Sequence, residues 1–367
     1  MTTDPTATSE TARRAVVLFA GAGGSSIGLH LAGYEPVGYE YWQPAADTHR
    51  ANGMTCHLHD LADPMRDDEI LPCDLLWASP PCQPFSAAGD GEGEFDDRDG
   101  FPWTLRIIAK RLPAVVIIEN VKGLTFSKHA EYFRSVLVEL AGMGYELDWR
   151  VLNSADYGVP QTRERCFIVA RRDGGPITWP MPTHTEHAGM FTEPWVTMAE
   201  ALGWWMTDKP FSTVATSSPT GGPRMDGCGG SGARKALNAE RDSGRWTLNY
   251  RQTNRDGELI TCDVTDRPSP TIGTQSAGQW VFTRPATTIN GDPRVSAPGH
   301  HDPNVSGSQQ ADAIRLTIKE LARLQDFPDH YVWCGTKTDQ ARQIGNAVPA
   351  TMAQVLAEAN APVAVPA

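Results

Sequence analysis

Ala15-Val-Val-Leu-Phe19-Ala-Gly21-Ala-Gly23-Gly24-Ser-Ser-Ile-Gly28-Leu-His-Leu-Ala32 passes from an unbroken apolar run through clustered glycines into a stretch with helical spacing. An apolar run closed by glycines reads as a buried strand, and glycines at such a junction let a ligand approach the N-terminus of the following helix. The glycine spacing departs from the dinucleotide pattern G-x-G-x-x-G, so the loop alone admits either a nucleotide-like cofactor or a tight turn. A second strand, Val37–Tyr39, ends at Glu40, where the acid of an adenosyl-binding unit stands, about 20 residues beyond the loop. Tyr41 and Trp42 follow and suit either adenine stacking or packing, and Asp60 lies past the next expected strand as an acceptor for an adenine amino group.

Outward from this unit, short apolar runs alternate with helical stretches: Leu75–Ala78, Val115–Ile118, Glu146–Leu152 and Cys166–Ala170. That alternation indicates an α/β fold, and continuous runs such as Val115-Val-Ile-Ile118 suit a mainly parallel sheet covered on both faces. Ligands are then expected at the carboxyl ends of the strands. After about Pro180 glycine, proline, serine and threonine dominate as far as Gln310, which marks a second, smaller, loop- and strand-rich domain. Lys209-Pro-Phe-Ser-Thr-Val, Arg267-Pro-Ser-Pro-Thr-Ile and Arg284-Pro-Ala-Thr-Thr-Ile recur within it as strand entries. Helical periodicity returns near Ile314 and again from Pro349, and the last helix is expected to rejoin the first domain. The expected division is 1–14 disordered, 15–184 plus 340–360 catalytic and cofactor-binding, 185–339 recognition, and 361–367 a flexible tail.

The seven cysteines are odd in number and scattered, which suggests neither a disulfide framework nor a Cys-x-x-Cys metal site. No apolar run reaches the ~18 residues of a membrane span, and no signal-peptide core precedes the first strand, so the expected location is cytoplasmic, beside the nucleoid, with no membrane partner. The net charge of −12 disfavours non-specific nucleic-acid binding, yet Arg224 to Arg255 holds seven basic residues against three acidic ones. That window suits either a phosphate-facing surface or a solvated loop.

Three strand ends carry reactive groups. Pro80-Pro81-Cys82-Gln83-Pro84-Phe85 leaves the run Leu75–Ala78, and its prolines restrict the loop that presents the Cys82 thiol. Glu119-Asn120-Val121 leaves the run Val115–Ile118, bringing a carboxyl to the same sheet edge. A thiol beside a carboxyl suits addition to an electron-poor ring, one attacking and the other handling a proton. Gln161-Thr-Arg163-Glu-Arg165 follows, with alternate arginines expected on one side of an extended segment.

With Arg315-x4-Glu320-x2-Arg323-Leu-Gln-x-Phe327-Pro328 and Gly345-Asn346-x-Val348-Pro349, these segments resemble the cytosine-C5 DNA methyltransferase family, in that family's order from Phe19 to Pro349. The resemblance implies a Rossmann-like mixed sheet that uses S-adenosyl-L-methionine, needs no metal, and transfers methyl to C5 of a flipped cytosine in a specific duplex sequence through a Cys82–C6 adduct. It assigns catalysis to Cys82, Glu119, Arg163 and Arg165. Phe19, Gly21, Gly23, Gly24, Glu40, Tyr41, Asp60, Pro80, Asn346 and Val348 become cofactor residues, and Gln83, Ser86, Arg224, Arg234, Arg245 and Arg251 DNA contacts. Double-stranded DNA is the implied partner of a monomer, a cognate restriction endonuclease is compatible with it, and residues from about 185 to 312 read the target sequence. Val17 and Ser25 replace an aspartate and an aromatic common in the family, which makes Tyr41 the better stacking residue. Asp97-Arg98-Asp99-Gly100 resembles the family's segment after the catalytic loop, but Phe101-Pro102-Trp103 departs from its usual leucine and carries no assigned role. A non-catalytic DNA-binding homologue, an RNA-directed enzyme and a dinucleotide oxidoreductase are the competing readings; the intact Cys82, Glu119 and Arg165 set, the long recognition region and the glycine spacing count against them in turn.

Overall fold

The computed structural model describes residues 13–81, 99–187, 189–197, 201, 247–253, 259–263, 269–270, 280–283 and 317–363, with backbone alone for the strands between 247 and 283. Strand β1 (Arg13–Leu18), β2 (Tyr34–Glu40), β3 (Thr55–Leu58), β4 (Leu75–Ala78), β5 (Val115–Val121), β6 (Glu146–Asn153) and β8 (Glu164–Arg171) form one sheet. Its order is β3-β2-β1-β4-β5-β8-β6, and β8 alone runs antiparallel to its neighbours. The expected α/β sheet is therefore present, with one reversed strand near the edge.

Alternation along the central strands divides the core into two layers. Val16, Leu76, Val116 and Ile118 face α3 (Phe101–Arg111) and α4 (Ala130–Gly142), packing on Phe101, Leu105, Phe133 and Leu140. Val17, Leu75, Trp77 and Ile117 face α1 (Gly24–Leu31) and the last helix, α7 (Ala350–Ala359), through Leu29, Met352 and Leu356. Both faces of β4 and β5 are buried, which is why these strands read as unbroken apolar runs. The last helix thus covers the first sheet, as its periodicity suggested.

Several boundaries differ from the sequence reading. β1 begins at Arg13, where Arg14 N donates to Asp74 Oδ2 at 2.8 Å, so the first strand starts two residues before Ala15. At the other end Val363 N donates to Asp173 Oδ2 at 2.9 Å and Arg171 Nη2 to the Ala361 carbonyl at 3.1 Å, so residues 361–363 are docked. Buried ion-paired Arg171 and Asp173 supply that anchor. Residues 1–12 and 364–367 lie outside the described residues.

Between α2 (Gln43–Ala51) and the sheet's carboxyl edge sits a segment that sequence placed with the recognition domain. Helix α5 (Ile318–Leu324) is followed by Phe327, Tyr331 and Trp333, whose rings cluster within 5.1 Å of one another. Val332 N donates to Asn52 Oδ1 and Cys334 N to Thr48 Oγ1, both at 2.9 Å, tying the segment to α2. A further helix, α6 (Lys337–Asn346), was not foreseen, because it is polar and its signal is the Thr336/Asp339 capping box rather than an apolar stripe.

Strands β9 (His184–Thr185) and β10 (Glu193–Pro194) pair in parallel, and in the region expected to form a second domain β11 (Thr247–Thr253) pairs antiparallel with β12 (Leu259–Asp263) and β14 (Trp280–Thr283). Two residues of one repeat are described: Ser269–Pro270, β13, lie parallel to Gln161–Thr162, β7. The repeats at 209 and 284 lie outside the described residues.

Candidate active site

Phe19 has φ of 56°, and Gly21 and Gly23 have φ of 53° and 99°, so the chain turns sharply from β1 before α1 begins at Gly24. No heavy atom lies within 4 Å of a Cβ built on Gly21, whereas Gly24 abuts the Val348 carbonyl, where a Cβ would sit at 2.2 Å. Gly21 is thus an open approach and Gly24 a close crossing of two backbones. The aromatic segment props the loop from behind, Tyr331 OH donating to the Ala22 carbonyl.

Glu40, 6% exposed, accepts from Gly21 N and Trp42 N, both at 2.8 Å. Burial raises its pKa, and the amides of Trp42, Gly21 and Tyr41 oppose the rise. The acid expected at the end of β2 therefore joins the glycine turn to the second strand. Beneath the turn, buried His49 places Nδ1 3.4 Å from the Gly21 carbonyl, and burial lowers its pKa to about 4. Tyr41 is exposed at the same edge, while Arg342 of α6 covers Trp42 at 4.6 Å. Asp60 is exposed and accepts from Ala62 N at 3.0 Å; Asn346 is exposed and Val348 buried beside Gly24.

One strand over, β4 ends at Ala78, Pro80 is buried, and the Asn120 side-chain amide donates to the Pro80 carbonyl at 3.2 Å. Glu119 precedes that asparagine on β5, and Arg165 Nε of β8 stands 3.2 Å from Glu119 Oε1. The loop that carries Cys82 hence leaves the sheet beside the Glu119–Arg165 pair. Cys82, Gln83 and Ser86 themselves lie outside the described residues, as do Arg224, Arg234 and Arg245; Arg251 falls on β11, whose backbone alone is described.

The two arginines do not share one side. Arg163 breaks the extended segment between β7 and β8, is 3% exposed, and donates Nη1 to the Gly345 carbonyl at 3.3 Å. It braces the turn between α6 and α7, whereas Arg165 meets Glu119. Sequence reasoning missed the reason for the glutamines. Gln161 Nε2 donates to Gln325 Oε1 at 2.7 Å, and Gln325 Nε2 to the Ala347 carbonyl at 2.6 Å. Two buried amides thus join three distant motifs in one chain of bonds, a pairing that no local spacing discloses.

Cys56, Cys73 and Cys166 are poor rivals for a reactive thiol, because burial pushes each up to about 12. Cys166 is the instructive case: it lies opposite Asn120 on β8, near Glu119, yet is 1% exposed.

The family model for C-5 cytosine-specific DNA methylases matches residues 14–361. The chain belongs to that family. It is 30% identical over 366 residues to the type II methyltransferase M1.HphI of Haemophilus parahaemolyticus, covering 93% of this chain and 85% of that protein. It is also 30% identical over 347 residues to the type II methyltransferase M.AplI of Arthrospira platensis, covering 93% and 83%. In fold it resembles a DNMT2 variant of Spodoptera frugiperda, with a TM-score of 0.58 at 16% identity over 94% of this chain and 99% of that one. Among the described residues no helix is long and apolar enough to cross a membrane.

Proposed function

We propose that the chain transfers a methyl group from S-adenosyl-L-methionine to C5 of a cytosine rotated out of double-stranded DNA, with Cys82 as nucleophile. The carrying observation is the junction at the sheet edge: Asn120 holds the Pro80 carbonyl at 3.2 Å while Glu119 faces Arg165 at 3.2 Å. In this reading the loop leaving Pro81 brings its thiol to a carboxyl that Arg165 faces at 3.2 Å.

Several features suit an adenosyl amino acid. Gly21 is open, and α1 starts without a side-chain cap, leaving amides free for a carboxylate. Glu40 lies at the end of β2, in reach of ribose hydroxyls, with Tyr41 exposed beside it as the adenine stack. When bound, S-adenosyl-L-methionine supplies an electrophilic methyl on a sulfonium. The chain's residues do the rest. Cys82 as thiolate adds to C6 of the cytosine, while Glu119 holds N3 and the exocyclic amine, and Arg165 fixes the Glu119 carboxyl. C5 becomes a carbon nucleophile and takes the methyl; loss of its proton then expels the Cys82 thiolate. Arg163 braces the turn at Gly345, a supporting role rather than a direct one. Rotating the base out costs a few kcal/mol, which phosphate and pocket contacts from the recognition region offset.

The recognition unit in this reading ends before residue 317, because the segment from Thr317 is bonded to the catalytic body. Gln83, Ser86, Arg224, Arg234, Arg245 and Arg251 remain its proposed DNA contacts, and the relatives' type II names extend the reading to a companion endonuclease. A monomer acting at the nucleoid completes it. Incubation with methyl-labelled S-adenosyl-L-methionine and mixed-sequence duplex DNA is expected to place label on cytosine C5, and Cys82→Ser to abolish it. Label surviving in Cys82→Ser sinks the thiol mechanism.

A further inference from the structure

We infer that Tyr132, on α4, is a positioning residue for the reacting thiol, acting through Asp99 and Gly100 on Pro80 and Pro81. The inference rests on the reading that Cys82 is the nucleophile. Tyr132 belongs to no motif used above, and Asp99 and Gly100 end the segment that resembles the family's stretch after the catalytic loop and carries no assigned role.

Gly100 precedes α3 and lies against the other end of the loop. A Cβ on Gly100 would sit 2.5 Å from Pro81 Cδ, 2.9 Å from Pro80 Cβ and 2.9 Å from Phe19 Cζ. Its φ is −85°, so glycine is required there for space and not for backbone angle. The entry and exit of the segment 82–98 are therefore in van der Waals contact, and Cys82 is bonded to the proline that makes it.

What holds Gly100 is the buried Asp99 carboxyl, 6% exposed. Oδ1 accepts from Phe101 N at 3.0 Å, an amide in the first turn of α3 with no partner within its helix. Oδ2 accepts from Tyr132 OH, which reaches across from α4. The tyrosine ring is edge-on to buried Phe101, with centroids 6.0 Å apart and planes at 79°. One carboxyl thereby ties the start of α3 to α4, and Gly100 lies between that tie and Pro81. Asn120 also bonds the Pro80 carbonyl, so the prolines before Cys82 are held from β5 and touched from the start of α3. Losing the hydroxyl removes the tie from α4 to Oδ2, while Oδ1 keeps its bond to Phe101 N. It loosens Gly100 against Pro81, while the bonds from Gly21 N and Trp42 N to Glu40 stay in place.

Tyr132→Phe removes the donor and keeps the packed ring. With saturating S-adenosyl-L-methionine and duplex DNA, single-turnover methyl transfer by Tyr132→Phe is expected to fall about ten- to a hundred-fold, the order expected of a small misplacement of reacting groups. Dissociation constants for both ligands should stay within about two-fold of wild type, since the loss belongs to the chemical step. Asp99→Asn combined with Tyr132→Phe should cost little more than either alone, because both break one link. Gly100→Ala, which leaves the hydroxyl bond intact and presses on Pro81, Pro80 and Phe19, should reproduce slow transfer with intact DNA affinity even if Tyr132→Phe is too unstable to assay. Wild-type transfer rates in Tyr132→Phe and Gly100→Ala, or losses accounted for entirely by weaker ligand binding, overturn the inference. Activity retained by Cys82→Ser in the same assay would instead overturn the nucleophile reading, which keeps the two failures apart.

Discussion

Glu40 illustrates how a single residue can be legible in sequence and still hold a surprise. Its position after β2 marked it as a ribose acid, but its two oxygens also accept the amides of Gly21 and Trp42. Glu40→Gln retains one acceptor and turns a donor toward an amide, so the glycine turn loses a tie as well as a charge. Leaving a buried donor unmatched costs about 1–3 kcal/mol. The expected result in calorimetric titration is S-adenosyl-L-methionine binding weakened about ten- to a hundred-fold, by the same conversion; affinity within about two-fold of wild type would remove Glu40 from the site. Arg163 and Arg165 show the limit of reading side chains from spacing. Alternation placed them together, whereas a break between β7 and β8 sends one to Gly345 and the other to Glu119.

Among the elements, α1 and α7 depend on close approach. A Cβ at Gly28 would meet the Ala350 carbonyl at 2.1 Å and Ala353 Cβ at 2.8 Å. Gly28→Ala gains at most about 1 kcal/mol of helix propensity. Overpacking against the neighbouring helix costs about 1–3 kcal/mol. Urea unfolding should therefore register a net loss, and an unchanged or raised midpoint would mean that the helices separate without strain. The strands were readable because burial on both faces leaves unbroken apolar runs, and α7 because its stripe at Met352 and Leu356 repeats at helical spacing. Helix α6 was missed for the converse reason: its stability comes from a capping box and from docking of a few residues. The Tyr132–Asp99 link was hidden too, since residues on α4 and before α3 meet only once the sheet has brought both helices to one face.

At the scale of the whole molecule, the proposed catalytic edge and the proposed recognition region meet at a short stretch of backbone. β13 of the recognition region pairs with β7, whose Gln161 leads through Gln325 to Ala347, and Val348 next to it contacts Gly24 of the first loop. Motifs separated along the sequence thus become one framework around the sheet's carboxyl edge, which is why their order foretold the family before any contact was visible. The net charge of −12 foretold nothing about that edge, because a global sum is blind to where cations gather. What the framework serves in the proposed function is a covalent step on a cytosine, and that step can be caught. Duplex DNA containing 5-fluorocytosine at methylated sites cannot release a proton from C5, so a thiol adduct formed there persists. Incubation with S-adenosyl-L-methionine, proteolysis and mass spectrometry should find the nucleotide attached to the peptide bearing Cys82. Attachment at another residue, or efficient methylation of ordinary DNA with no adduct on the fluorinated duplex, would contradict the account.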